Sequence, residues 1–173
     1  MPQTDYPIYM PTGFEGQIPN DRMVKHIRGT QDEYVNGHTA AIPYGRVVRL
    51  DATDPTKVLP LSADAQTMAG VTVFSHIYEK AADGTAGVPV ERPISFLVEG
   101  EINMIAEEAV TPADTVFARF LANGSPGASD GIGRVRTDAD NGGATERADA
   151  VPNAKFLTSA AAGEIVRVYV NFN

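Results

Sequence analysis

The 173-residue chain contains no cysteine and no tryptophan. Without cysteine it cannot form disulfides, thiolate zinc sites or iron–sulfur clusters, and it has no cysteine nucleophile. A domain of this length buries roughly 70% of the surface that its unfolded chain would expose, so it needs no such cross-link to fold. No apolar run approaches the roughly 18 residues of a membrane-spanning helix, and Asp5 and Pro7 interrupt any signal-peptide pattern. We therefore expect a soluble protein with no membrane partner.

Positive charge is also scarce, because 14 Lys and Arg stand against 22 Asp and Glu, which gives a net charge of −8. A protein that binds a phosphate backbone needs a cationic surface, so this balance argues against a nucleic-acid partner. The first 50 residues hold five basic and five acidic side chains, which confines the excess acid to residues 51–173. Within the first part, Arg22, Lys25 and Arg28 form a locally basic stretch.

Long helical patterns are missing, and from residue 42 onward short β-prone runs alternate with Pro, Gly, Asn and Asp. The clearest predicted strand covers residues 94–106, with apolar even positions and a bulge or bend expected at Gly100. Its odd positions include the polar residues Ser95, Glu99, Glu101 and Asn103. One face of this strand is therefore predicted to lie in the core and the other in water. Residues 163–172 alternate in the same way, with Val166, Val168, Val170 and Phe172 on one side.

Further strands are predicted at residues 45–50, 57–61, 69–74, 115–121, 133–137 and 154–158. About eight strands in one domain predict an all-β fold, a single antiparallel β-barrel or sandwich domain with an extended N-terminal arm. We place the arm at residues 1–40 and the domain at residues 41–173. A short helical or turn-like piece is expected between residues 21 and 34.

The first twenty residues combine many Pro and Gly with large apolar side chains, without a helical or strand period. Such a segment cannot fold alone, yet Tyr6, Tyr9, Phe14 and Ile18 are too apolar for a free tail. We expect these four side chains to dock on another surface. The alternative is that the arm wraps over its own domain.

Residue patterns that would support catalysis or metal binding are weak. The histidines His26, His38 and His76 fit no zinc spacing, and Glu99 and Glu101 are interpreted as solvated charges on one strand face. A stretch from Asp138 to Asp149 is faintly similar to a calcium loop, but glycine occupies the fifth position and Asp replaces Glu at the twelfth, so an acidic turn is favoured. We predict no catalytic residue, cofactor or metal, and no enzymatic activity.

Several blocks in the same order resemble the structural cement, or head decoration, proteins of tailed bacteriophages. The blocks are residues 13–18 (GFEGQI), 42–48 (IPYGRVV), 69–71 (AGV), 94–102 and 154–163 (AKFLTSAAAG). The resemblance covers most of the chain, and this sequence departs from the family pattern in its arm, in an insertion at residues 75–93 and at residues 123–150.

This resemblance implies a non-enzymatic protein on the outer surface of the virion capsid, which bridges neighbouring major capsid protein subunits. It also implies self-association as a dimer or trimer on that surface. We therefore hypothesise that the arm contacts a neighbouring subunit, with Tyr6, Tyr9, Phe14 and Ile18 as apolar anchors and Arg22, Lys25 and Arg28 facing carboxylates.

Two other functions stay open at this point. A carbohydrate-binding or adhesive β module could use Tyr34, Tyr44 and Tyr78 as a stacking platform for sugars. A small β-barrel enzyme of phage nucleotide metabolism is the third candidate.

Overall fold

The computed structural model describes residues 13–19, 26–29, 33–63, 66–75, 87–122, 131–140 and 147–173. Within these ranges the chain forms eleven β-strands and no α-helix. The strands are β1 (His26–Arg28), β2 (Val35–Asn36), β3 (Val47–Leu50), β4 (Lys57–Pro60), β5 (Met68–Thr72), β6 (Phe96–Ile105), β7 (Phe117–Arg119), β8 (Val135–Arg136), β9 (Ala148–Ala150), β10 (Lys155–Phe156) and β11 (Ile165–Asn171). The predicted all-β class is therefore confirmed.

The strands form two sheets. The larger has eight strands in the order β10-β11-β6-β5-β3-β4-β2, with β1 also paired to β6, and the smaller has the order β8-β7-β9. A parallel bridge between Ala106 and Val135 connects them, and among the described residues neither sheet closes into a barrel. The fold is sandwich-like. The expectation of purely antiparallel pairing is wrong for β2, which runs parallel to β4.

Apolar side chains cover both faces of the central strands. Val47, Val71 and Leu97 lie opposite one another across β3, β5 and β6 and belong to the cluster between the two sheets. Val48 and Phe96 belong to a second cluster on the opposite face of the larger sheet. The middle of this sheet is therefore dry on both sides, which fixes the register of its strands.

The eight strands predicted from sequence all occur, each shorter than predicted, as β3 to β8, β10 and β11. The predicted inward positions are buried in both long strands, with Phe172 half-buried. The prediction that residues 94–106 have one core face and one wet face is wrong, because Leu97 is buried too and Phe96 and Ile102 belong to clusters on opposite faces of the sheet. Asn103 was predicted to face water and is buried instead. The reason is that residues 16 and 17 of the arm run beside it and bond to its backbone.

Three strands were not foreseen. Residues 26–28, expected to be helical or turn-like, form β1 because their backbone pairs with β6. Strands β2 and β9 are too short and too polar to give a period-2 pattern. Both β1 and β2 belong to the larger sheet, although they lie before residue 41. The division of the chain into an arm of residues 1–40 and a domain of residues 41–173 stays a prediction.

Two neighbouring strands carry β-bulges. In β5, Ala69 is the extra residue where Val48 pairs with Gly70 and Arg49 with Met68. In β6 the extra residue is Val98, because His26 pairs with Glu99 and Ile27 with Leu97. The bulge was expected at Gly100 and lies two residues earlier, at Val98. Bulges bend a strand and increase its twist, so the sheet is locally curved at both positions.

Candidate partner-binding surface

Residues 13–19 of the arm fold into a tight turn on the body of the protein. The backbone N–H of Gln17 donates to the carbonyl of Phe14 (3.1 Å), which closes the turn. Gly16 donates to Asn103 (2.8 Å), and Asn103 donates back to Gln17 (2.9 Å). The N–H of Phe74 donates to Gly16 (2.9 Å). The two bonds to Asn103 satisfy backbone groups of β6 that have no partner in any described strand. The turn therefore acts as a short extension of the sheet.

Two glycines allow the turn to approach the body so closely. Gly16 and Gly45 both have positive φ, +78° and +64°. A Cβ on Gly16 would lie 2.9 Å from the backbone nitrogen of Gly45, and one on Gly45 would lie 2.7 Å from that of Gly16. Both conditions favour glycine over every other residue. The sequence blocks 13–18 and 42–48, which carry part of the family resemblance, therefore meet in space.

Glu15 lies at the tip of the turn and forms an ion pair with Arg46, with Oε1 and Nε 3.0 Å apart. The side chain of Glu15 is 20% exposed and that of Arg46 is 5% exposed. Their contact has the geometry of an ion pair and not of an aligned hydrogen bond. Burial raises the pKa of the Glu15 carboxyl, and the positive charges of Arg46 and Arg134 oppose that rise. The turn therefore contains a charge pair that is partly removed from water, and the cost of burying Glu15 exceeds the attraction of the two arginines.

Three aromatic rings connect this turn to the core. Tyr44 is 3% exposed, donates from its hydroxyl to the carbonyl of Ser75 (3.1 Å) and contacts Phe74 edge-on, with ring centroids 5.0 Å apart. Phe74 contacts Phe14 in the same way at 4.3 Å. Phe14 is 41% exposed. The turn thus presents a phenylalanine ring on the surface while two further rings support it from below.

The other predicted anchors are distributed unevenly. Ile18 is in the same segment as Phe14 but packs partly against the inter-sheet cluster. Arg28 is half-buried at the end of β1 and lines a surface groove. Tyr6, Tyr9, Arg22 and Lys25 lie outside the described residues, so their role stays a prediction. The structure therefore brings Phe14 and Ile18 together and places Arg28 on a separate element.

The carboxylates considered for catalysis have partners. Glu99 accepts a hydrogen bond from the Tyr169 hydroxyl (3.0 Å), and Glu101 lies 3.9 Å from Arg167. Their interpretation as simply solvated charges is therefore wrong, because β11 pairs alongside β6 and supplies these partners. Of the three histidines, His26 and His38 are described and His76 is not. Among the described residues no group of three His, Asp or Glu side chains could hold a metal ion.

A cluster of buried arginines was missed by sequence reasoning. Glu107 binds both Arg119 (2.7 Å) and Arg136 (3.3 Å), and Asp140 binds the same two guanidiniums at 2.8 and 3.3 Å. Asp138, part of the predicted acidic turn, lies 2.7 Å from Arg136. The N–H of Asp140 and the charge of Arg136 lower the pKa of the Asp138 carboxyl. The signal available in the sequence was an arginine inside each of two predicted strands, residues 115–121 and 133–137, since buried arginines need paired carboxylates.

The stacking platform for a sugar does not form as expected. Tyr44 is buried in the core, and Tyr34 packs edge-on against buried Phe96, with ring centroids 5.1 Å apart. Tyr78 lies outside the described residues. Tyr44 therefore offers no exposed face on which a sugar ring could stack, and that part of the carbohydrate-binding hypothesis is wrong.

Comparison with known proteins decides the family. The family model for the structural cement protein (E217 gp24/Pam3 gp6) matches residues 1–171. The chain belongs to this family. It is a structural protein of the phage capsid. No curated protein matches the chain. Within the described residues, no helix is long and apolar enough to cross a membrane.

A chain in a solved structure has the same fold. The structure is titled "The capsid of Myoviridae Phage XM1", and the superposition has a TM-score of 0.62 at 16% identity. The match covers 95% of the cement protein and 93% of the other chain. At this identity the likeness concerns the fold, and it extends over nearly the whole of both chains.

Proposed function

We propose that this cement protein binds the outer surface of the assembled phage head and bridges neighbouring major capsid protein subunits. Membership of the cement family supports a role in the capsid, and a structural role requires binding surfaces instead of a catalytic pocket. We further propose that the protein is not an enzyme and that it occupies the head as a dimer or trimer.

The observation that carries this proposal is the exposed ring of Phe14. Interfaces derive most of their affinity from a few aromatic or arginine anchors, and an anchor that is already rigid loses little entropy when it binds. Phe14 meets both conditions, because Phe74 supports its ring and the hydrogen bonds of Gly16 hold its turn. Apolar area alone does not distinguish it, since Leu157 is similarly exposed at 39%.

Other residues of the arm, on both sides of Phe14, extend this contact in the proposal. Tyr6, Tyr9 and Ile18 act with Phe14 as apolar anchors on a neighbouring subunit, and Arg22, Lys25 and Arg28 face its carboxylates. Twelve residues precede Gly13, and a fully extended segment of that length reaches about 40 Å, enough to cross a subunit boundary. Once the domain is bound, such an arm acts at high effective concentration.

The test compares Phe14→Ala with Leu157→Ala in co-sedimentation with purified heads that lack the protein. We expect Phe14→Ala to lower the affinity for heads at least about tenfold, as loss of an interface anchor does. Leu157→Ala removes a similarly exposed apolar side chain and should bind like wild type. Thermal melting of both variants checks that the fold is intact. Equal affinity of the two variants would contradict the assignment of Phe14 as an anchor.

A further inference from the structure

A surface groove of about 470 Å³ lies over the two bulged positions of the larger sheet. Both extra residues, Ala69 of β5 and Val98 of β6, line it. Its floor is apolar and includes Met68 and Phe172. Two bulges at the same place curve the sheet locally, and bulges often serve to redirect side chains at functional sites. The groove is therefore a feature of the strand register and not only of loop placement.

Two arginines, Arg28 and Arg49, line the groove. Arg28 is half-buried, and its backbone pairs with Phe96 of β6. Among the described residues no carboxylate lies within ion-pair distance of either guanidinium. The Nε of Arg49 is buried without a hydrogen-bond partner, and its terminal nitrogens make only long contacts, at 3.3 and 3.4 Å.

These two half-buried arginines contrast with the buried arginines of the described residues. Arg46, Arg119 and Arg136 are each paired with a carboxylate of their own chain. The acidic side chain within the groove, Asp51, is occupied by hydrogen bonds from the N–H and hydroxyl of Thr53, both 2.8 Å. These Thr53 bonds, and to a smaller extent the charge of Arg49, lower the pKa of the Asp51 carboxyl. In a protein of net charge −8, two guanidiniums that form no ion pair among the described residues, and that line an apolar floor, are complementary to an external carboxylate.

We infer that this groove binds a carboxylate-bearing segment of a partner protein, with the carboxylate between Arg28 and Arg49 and a neighbouring apolar side chain on the floor formed by Met68, Ala69, Val98 and Phe172. The identification of that partner as a capsid protein rests on the proposed function. The recognition chemistry does not, because it follows from the groove alone. The planar guanidinium of an arginine recognises a carboxylate by bidentate hydrogen bonds.

The first experiment measures affinity for purified heads that lack the cement protein. We expect the double variant Arg28→Gln/Arg49→Gln to bind roughly tenfold more weakly or worse, since it loses charge-assisted hydrogen bonds. The control, Arg167→Gln, makes the same chemical change at a site outside the groove and should bind like wild type. Thr67→Glu adds a carboxylate at the exposed rim and leaves both arginines in place, so it should also weaken binding. If the double variant does not fold, Thr67→Glu alone tests whether the groove binds heads.

The second experiment separates the groove from the proposed function by using the free protein and a hexaglutamate peptide as the probe. We expect NMR shift changes at the groove residues in wild type and in Arg167→Gln, and their loss in the double variant. If wild type does not bind heads but the peptide still shifts the groove, the proposed function fails and this inference stands. Head binding that is equal in wild type, the double variant and Thr67→Glu would overturn the inference, as would peptide shifts outside the groove.

Discussion

The inter-sheet core and the arm turn are held by different kinds of interaction. The core depends on alternation along long strands. Strands β6 and β11 pair at seven positions, and among these Met104 lies opposite Val166 and Ile102 opposite Val168, all within the inter-sheet cluster. The turn, residues 13–19, depends on a few specific contacts: the backbone bonds of Gly16, the ion pair of Glu15 and the ring of Phe14. The core determines whether the protein folds, whereas the turn determines what its surface presents.

Phe96→Ala should have the largest effect on stability and should act on the whole fold. Phe96 is fully buried in the second cluster, and a truncation of this size in a packed core costs about 3–5 kcal/mol. Chemical denaturation measures it, with Leu157→Ala as a surface control that should change the free energy of unfolding by no more than about 0.5 kcal/mol. A loss below about 1 kcal/mol for Phe96→Ala would show that this side of the sheet is not packed as described.

Gly16→Ala should have a smaller effect on stability and a larger one on head binding. A non-glycine residue at positive φ costs about 1–3 kcal/mol, and the added methyl group also contacts the backbone of Gly45. Because the strain is local, the turn should detach while the sandwich stays folded. Amide hydrogen exchange measures this as lost protection at residues 16 and 17 of the turn and at their partners Asn103 and Phe74, with protection kept in the sheets. Global loss of protection would contradict the separation of turn and core. Gly163→Ala is the control, since its φ is +80° and no atom lies within 4 Å of an added Cβ.

Glu15→Gln should have the smallest effect and should appear mainly as a change in pH dependence. The folded-state pKa of Glu15 is raised above its ordinary value of 4.5, so the folded protein holds this proton more tightly than the unfolded chain does. The contribution of Glu15 to stability is therefore greatest at low pH and falls as the pH rises from about 4.5 through the folded pKa. In Glu15→Gln this part of the pH dependence should disappear, as denaturation at several pH values would show. An unchanged pH profile would contradict the burial of Glu15.

The same comparison explains what sequence reasoning could and could not predict. The alternation of residues 163–172 reports burial directly, and that of residues 94–106 locates β6, so both strands were predictable. The burial of both faces of β6 at residues 96–98 was not, because it depends on what the rest of the fold packs against each face. The contact between Gly16 and Gly45 joins segments about thirty residues apart, and no periodic signal reports a contact of that kind. The burial of Asn103 was missed for the same reason, since its partner is the backbone of the arm. Strand β1 is three residues long and takes its conformation from pairing with β6, not from its own sequence.

The candidate surface was predicted in part. Phe14 was chosen because a large apolar side chain stood in a segment that cannot fold alone, and the structure places it on the surface. Its support by Phe74 was not foreseen, because Phe74 lies sixty residues further along the chain. The basic residue Arg28 was chosen for its charge, but its groove depends on bulges at Ala69 and Val98, and these depend on strand register.

A cryo-EM density map of the assembled head with the cement protein bound tests the central claim most directly. The account predicts that the protein lies on the outer surface and spans two major capsid protein subunits, with the ring of Phe14 packed against one of them. A map in which the protein contacts a single subunit, or in which the Phe14 turn faces solvent, would contradict it.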